Sequence, residues 1–339
     1  MNYNTISKPQ IQTHVQLPIN SRGKLDTGLK CNYKCGFCYY QNNLNDPSLS
    51  LEEIKARANI LFKSGMKEVD LSGGESTIHP DWFDILEYCR DKFMSVSCLS
   101  NGSKLKDFAF AEMSQMHGLN EVLFSLHGWD ADSHDKIVGH NKAFQHIIQA
   151  IENCNILGIK VRINCTVTEN NVNDMLQYAN LVRSFSPKQL NLLPLNYWSD
   201  AKDMKVSSYD ILSEGIKVCI DYLVETDIEV NVRYIPYCFM KGYEKYVVGT
   251  FQHIYDLGDW NLLTYDAEAP IKNTIENAYE QAQTNRVNTY SKPRECSKCK
   301  FFLICDGIEK QYNNSGIKII EGEHIKNIIE FRKETSVVK

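Results

Sequence analysis

Cys31, Cys35 and Cys38 crowd into the stretch "LKCNYKCGFCYYQNN", with spacers of three and then two residues and Phe37 directly before the last. Thiols this close in sequence cannot all serve as core packing, whereas one loop can wrap them around a metal centre. Structural zinc takes four Cys or His ligands, usually paired in two knuckles. This loop offers three cysteines and no neighbouring His. An iron-sulfur cluster held by three cysteines keeps one iron without a protein ligand, open to a substrate or cofactor. The spacing therefore points to a cluster with a free iron.

A second group, Cys296, Cys299 and Cys305 in "CSKCKFFLIC", lies near the other end of the chain. Of the remaining cysteines, Cys89, Cys98, Cys154, Cys165 and Cys219 sit in apolar or amphipathic segments, where Cys serves as a small buried hydrophobe. Cys238, in "RYIPYCFMKGYE", instead occupies a loop signal just after a strand-like run.

A chain of 339 residues buries a full core without stapling, so its 12 cysteines are not a disulfide framework. The formal net charge is -5 and no Lys/Arg-rich run stands out, so duplex DNA or RNA is not an expected partner. No apolar run has the length of a membrane span, and "MNYNTISKPQ" lacks the pattern of a secretion signal. A cytoplasmic location is expected.

The elements that must position these thiols follow from periodicity. Strands are expected at 23–29, 68–72, 94–100, 121–126, 159–167 and 189–195. Between them lie 3.6-residue patterns such as "LSLEEIKARANILFKSG" and "KAFQHIIQAIENCNILG". Alternation of strand and helix predicts an α/β fold with a parallel sheet, open or barrel-like, whose chemistry gathers at the C-terminal strand ends. The cysteine triplet, "LSGGEST", "SNGS" and "SLHG" follow successive strands, so all four loops fall on one rim. Beyond Pro236 the chain becomes rich in Tyr, Asp, Asn and Gly, with one expected helix at "IKNTIENAYEQAQ", and reads as a smaller appended domain.

"CNYKCGFC" followed by "GGE" after the next strand resembles the radical S-adenosylmethionine (SAM) superfamily, over roughly Gly23 to Pro194. The resemblance implies a partial (β/α)6 TIM-like barrel, a 4Fe-4S cluster on Cys31, Cys35 and Cys38, and SAM on the free iron. It places Phe37 near the adenine, and Gly73, Gly74 and Glu75 at the methionine amino group. The physics agrees, since glycines permit close backbone approach and a carboxylate can receive an ammonium. By the same resemblance Asn101, Ser125, Asn164 and Thr166 face the methionine carboxylate or ribose, and Leu193 neighbours the adenine. His127 could face the substrate, although a loop His bonded to backbone is the commoner outcome.

The C-terminal group resembles SPASM and the shorter twitch domains, which bind auxiliary clusters. A full SPASM domain has a further cysteine four residues beyond Cys305; here that position is Glu309. One auxiliary 4Fe-4S cluster is therefore expected, with Cys238 as the natural fourth ligand and zinc as the alternative metal. The resulting division is an N-terminal segment (1–22), a radical SAM core (23–227), a twitch-like domain (228–320) and a C-terminal helix or tail (321–339).

The activity implied is reductive cleavage of SAM and abstraction of a substrate hydrogen atom, leading to oxidation, epimerisation or bond formation. An electron donor such as flavodoxin or ferredoxin is implied as partner. An epimerase would also need a hydrogen donor, for which Cys165 is a candidate. The expected substrate is a small molecule of a biosynthetic pathway; a ribosomally made peptide is the alternative. A different class, a non-catalytic iron-sulfur or zinc-binding carrier or regulator, would hold metal without cleaving SAM.

Overall fold

Parallel pairing in strict chain order organises the main sheet: β1 (Arg22–Asp26), β2 (Glu68–Ser72), β3 (Ser95–Ser100), β4 (Glu121–Ser125), β5 (Lys160–Val167), β6 (Gln189–Pro194), β7 (Glu229–Arg233) and β8 (Val247–Gly249). The computed structural model describes residues 21–38, 40–195, 207–249, 288–312, 316–326 and 331. The helix expected over 271–283 and the Tyr-rich stretch from 250 onward lie outside the described residues.

Among the described residues seven α-helices make the crossovers from β1 to β7: α1 (Leu51–Lys63), α2 (Trp82–Arg90), α3 (Phe108–Met116), α4 (Ala131–Val138), α5 (Ala143–Leu157), α6 (Met175–Phe185) and α7 (Tyr209–Leu223). Their ends are written in the sequence. Ser50 caps α1 by accepting the Glu53 N–H at 3.3 Å, and Ile54, Ala58 and Leu61 form its buried stripe. Asp130 and Ser133 form a capping box on α4, and Gly139 ends it with φ 64°, the left-handed region glycine favours.

Side chains alternate along each strand. Val161, Ile163, Cys165 and Val167 of β5 join the core beneath the helices, while Arg162, Asn164 and Thr166 face the other, concave side. Toward the N-terminal strand ends the concave face is closed by buried ion pairs: Arg162 with Glu121 at 2.6 Å and Asp70 at 3.3 Å, and Arg22 with Asp70 at 2.6 Å.

The six expected strands are all present, and the sheet runs on through β7 and β8 to form an open, partial TIM-like barrel. The run at 229–233, read from sequence as opening the appended domain, pairs parallel with β6 as a seventh strand. A small antiparallel pair, β9 (Tyr290–Ser291) and β10 (Ile308–Glu309), frames the C-terminal cysteines. It docks through aromatic stacks, Tyr237 on Phe301 at 4.4 Å and Tyr209 on Tyr312 at 4.1 Å, and the Tyr312 hydroxyl donates to the Leu195 carbonyl at 2.6 Å.

Candidate functional site

The cysteine loop leaves β1 and folds back over the α4–α5 junction. The N–H groups of Lys34 and Gly36 donate to the carbonyls of Val138 and Ile137 at 3.2 and 3.1 Å. Tyr33, 2% exposed, packs among Ile137, Val138 and Ala143, with Cys31, Cys35 and Phe37 laid against the same cluster. The Tyr33 hydroxyl bonds Nδ1 of His146 at 2.8 Å, and Lys106 bonds the opposite ring nitrogen at 2.8 Å.

Burial, followed by the Glu75 carboxylate, pushes the Cys31 thiol up to about 12. Cys35 is raised by burial and then by the Cys31 and Cys38 thiols, and Cys38 is raised by burial. These groups stay protonated at neutral pH until a cation replaces the proton. Among the described residues no three His, Cys, Asp or Glu side chains close to single-ion spacing.

The Gly-Gly-Glu loop after β2 presses directly on this loop. A Cβ on Gly73 would stand 2.1 Å from the Gly28 carbonyl oxygen, and one on Gly74 2.1 Å from that of Lys30. Gly73 also has φ 110°. The N–H groups of Gly74 and Glu75 donate to Gly28 and Lys30 at 2.9 Å each. The glycines thus serve first the approach of the chain to itself. Glu75 is 3% exposed. Its Oε1 accepts from the Thr77 and Ser100 hydroxyls, and Oε2 accepts the Asn101 N–H at 2.7 Å. Burial raises this carboxyl and the same hydrogen bonds oppose the rise.

Asn101 bridges onward, its Nδ2 donating to Asn32 at 2.9 Å and lying 3.9 Å from the Cys31 sulfur. Ser125 of β4 is in register with Asn164 of β5, and Thr166 with Leu193 of β6, each half-buried on the concave face. Phe37 meets His127 edge-on at 4.7 Å. His127 is the backbone-bonded loop residue: its Nδ1 accepts the Thr166 N–H at 3.0 Å, and burial lowers its pKa well below the usual range.

Sequence reading did not single out Tyr33, His146, Asn32, Asn191 or Asn231; the last two continue, at one register, the row that Ser125 and Asn164 begin across β4 to β7. Among the described residues the buried Oδ1 of Asn191 has no hydrogen-bond partner. Polar residues recurring at every second position in "RINCTV", "QLNLLP" and "EVNVR" were the available signal. Cys165 and Cys98 lie on the helix side, fully buried, and among the described residues no cysteine of β1 to β8 faces the concave side.

At the far end of the sheet Cys238, on the short turn after β7, lines one pocket with Cys296, Cys299 and Cys305. Tyr237, Phe301, Ile308 and Ile319 wall it. Burial and then the neighbouring thiols, Cys305 foremost, push Cys238 up to about 12; burial pushes Cys305 up to about 11.

A parallel partial barrel with a three-cysteine loop on its C-terminal rim defines a radical SAM domain, and residues 26–182 match the Radical SAM superfamily model. This region belongs to that superfamily, whose enzymes hold a 4Fe-4S cluster and SAM. The chain is 23% identical over 334 residues to the antilisterial bacteriocin subtilosin biosynthesis protein AlbA of Bacillus subtilis, covering 94% of this chain and 72% of AlbA. It is 30% identical over 169 residues to a probable GTP 3',8-cyclase of Saccharolobus solfataricus, covering 49% of this chain and 54% of that protein. In fold it is similar to Streptococcus suis SuiB bound to precursor peptide SuiA, with TM-score 0.63 and 13% identity, over 92% of this chain and 73% of SuiB. Among the described residues no helix is long and apolar enough to cross a membrane.

Proposed function

We propose that this chain cleaves SAM reductively and modifies a ribosomally made precursor peptide, with one cluster at Cys31, Cys35 and Cys38 and an auxiliary 4Fe-4S cluster at Cys238, Cys296, Cys299 and Cys305. The observation that carries this reading is the meeting of those last four thiols in one apolar-walled pocket. The peptide is preferred to a small molecule because similarity to a bacteriocin biosynthesis protein extends over 94% of the chain, against 49% for the cyclase. SuiB, similar in fold, is a protein that binds a precursor peptide.

The donor sets fit the groups. Burial raises the thiols of Cys31, Cys35, Cys238 and Cys305, which a cation converts to thiolates, and the auxiliary set supplies four sulfurs in one pocket. When bound, the cluster and SAM supply a 5'-deoxyadenosyl radical that takes a hydrogen atom from a substrate C–H bond. The chain's residues bind, orient and exclude water. Phe37 and Leu193 flank the adenine, and Gly73, Gly74 and Glu75 shape the methionine end. Among the described residues Oε2 of Glu75 accepts from the Asn101 N–H alone, which leaves a lone pair for the amino group. Asn101, Ser125, Asn164 and Thr166 present polar groups to carboxylate and ribose. Oxidation or bond formation is favoured over epimerisation, because Cys165 is turned away from the concave face.

Anaerobic reconstitution, iron and sulfide counting, and reductant-dependent 5'-deoxyadenosine formation test the reading, beside a Cys31→Ala/Cys35→Ala/Cys38→Ala variant. About eight irons with activity are expected, falling to about four and none in the variant. About four irons in the unaltered chain would remove the auxiliary cluster, and zinc without SAM cleavage would remove the whole proposal.

A further inference from the structure

Lys292 follows directly on β9 and lines the pocket of Cys238, Cys296, Cys299 and Cys305. Both ends of its side chain are held. The stem lies against Gly307, where an added Cβ would stand 2.9 Å from the Lys292 Cγ and 2.3 Å from the Ser291 carbonyl oxygen. At the head, Nζ donates to the Phe302 carbonyl at 2.7 Å and lies 4.9 Å from the centroid of the Phe302 ring. The residue is half-buried beside apolar walls, where water screens a charge incompletely.

Three other charged side chains bear on this pocket. Lys318 also lines it, but is exposed and paired with Asp210 at 2.6 Å. Glu295, exposed, precedes Cys296, and Asp306, buried, follows Cys305. Burial raises the Cys296 and Cys305 thiols; Lys292 opposes the rise at both, more strongly than Glu295 adds to it at Cys296 or Asp306 at Cys305. The Gly307 N–H, 3.4 Å from the Cys305 sulfur, acts in the same sense as Lys292.

We propose that the Lys292 ammonium is the fixed positive charge that raises the reduction potential of a cluster on these four thiols. The proposal rests on the auxiliary 4Fe-4S cluster of the function above. Reduction adds one electron, hence one unit of negative charge, to a pocket of low dielectric, and no atom is exchanged in that step. A neighbouring ammonium therefore favours the reduced form over the oxidised one. Lys292 acts through the cluster and is a positioning residue of charge, not a ligand.

The test uses the reconstituted holoenzyme, titrated with titanium(III) citrate while the electron paramagnetic resonance signals of the reduced clusters are followed. The Cys31→Ala/Cys35→Ala/Cys38→Ala variant identifies the auxiliary signal. At the parent's midpoint, Lys292→Met and Lys292→Gln should lower the ratio of reduced to oxidised auxiliary cluster about tenfold, a shift of about 60 mV for a one-electron couple. Lys292→Arg, which keeps the charge, and Lys318→Gln should stay within about twofold of the parent. The midpoint of the Cys31, Cys35 and Cys38 cluster should not move. An unchanged auxiliary midpoint in the Met and Gln variants, or an equal shift in Lys318→Gln, would overturn the proposal. So would loss of auxiliary iron from both the Met and Gln variants, since Lys292 would then prop the site and not tune it. About four irons in the unaltered chain would instead remove the auxiliary cluster itself, before any Lys292 variant is compared.

Discussion

The backbone N–H of Asn101 donates to Oε2 of Glu75 at 2.7 Å, and through this bond the loop after β3 is fixed to the loop after β2. Because Asn101 also reaches Asn32 inside the cysteine loop, one buried carboxylate orders three of the rim loops. Replacing Glu75 with Ala leaves the Ser100 hydroxyl and Asn101 N–H without acceptors in a buried site. The expected cost is about 3 kcal/mol, read by chemical denaturation, together with loss of SAM affinity. Glu75→Gln keeps the shape but turns an amide N–H toward donors and should fall between the two. An Ala variant as stable as the parent would show that the loops are held by other contacts.

Gly74→Ala should act through the cysteine loop. The added methyl would meet the Lys30 and Leu29 carbonyl oxygens at 2.1 and 2.4 Å, both backbone, so the loops must part. Iron at the Cys31, Cys35 and Cys38 site should fall while the distant C-terminal site keeps its share, so about half the total is lost. Iron counting on the reconstituted variant checks this; full iron would mean that the rim yields without disturbing the thiols.

At the C-terminal site, Cys238→Ala should change the electron paramagnetic resonance signal of one cluster and leave the other untouched. The side chain lies in the pocket of Cys296, Cys299 and Cys305, and Cys305 is its strongest thiol neighbour. Cys219→Ala, at a buried cysteine on α7 outside both groups, should alter neither signal. Identical spectra for the Cys238 variant and the parent would remove Cys238 from the ligand set.

Local pattern carried far in the sequence because parallel strands and capped helices declare themselves within a few residues. The thiol loop, the order of the first six strands and the single rim are all local or follow from order. What escaped depends on register and long-range closure. Tyr33 meets His146 across 113 residues, and nothing near either one signals the other. The row of Asn164, Asn191 and Asn231 exists only once β5, β6 and β7 align. The strand at 229–233 stands next to the change in composition beyond Pro236 and so reads as opening the appended domain; its place in the main sheet depends on parallel pairing with β6, which no local signal declares.

Stability should depend on pH through His134, whose Nδ1 accepts the His127 N–H in a buried setting. Burial lowers its pKa from 6.5 to about 4, with Asp135 opposing the shift. The sign follows from proton uptake. Below pH 6.5 the unfolded chain takes a proton that the folded chain refuses until near pH 4, so this contribution to stability is full above 6.5 and declines as pH falls between those values. From pH 7.5 to 5 the expected loss is about 2 kcal/mol. Denaturant unfolding at the two pH values, beside His134→Gln, measures it. The variant cannot take up that proton in either state, so its pH slope should be shallower by this amount, and an unchanged slope would place the acid sensitivity in another group.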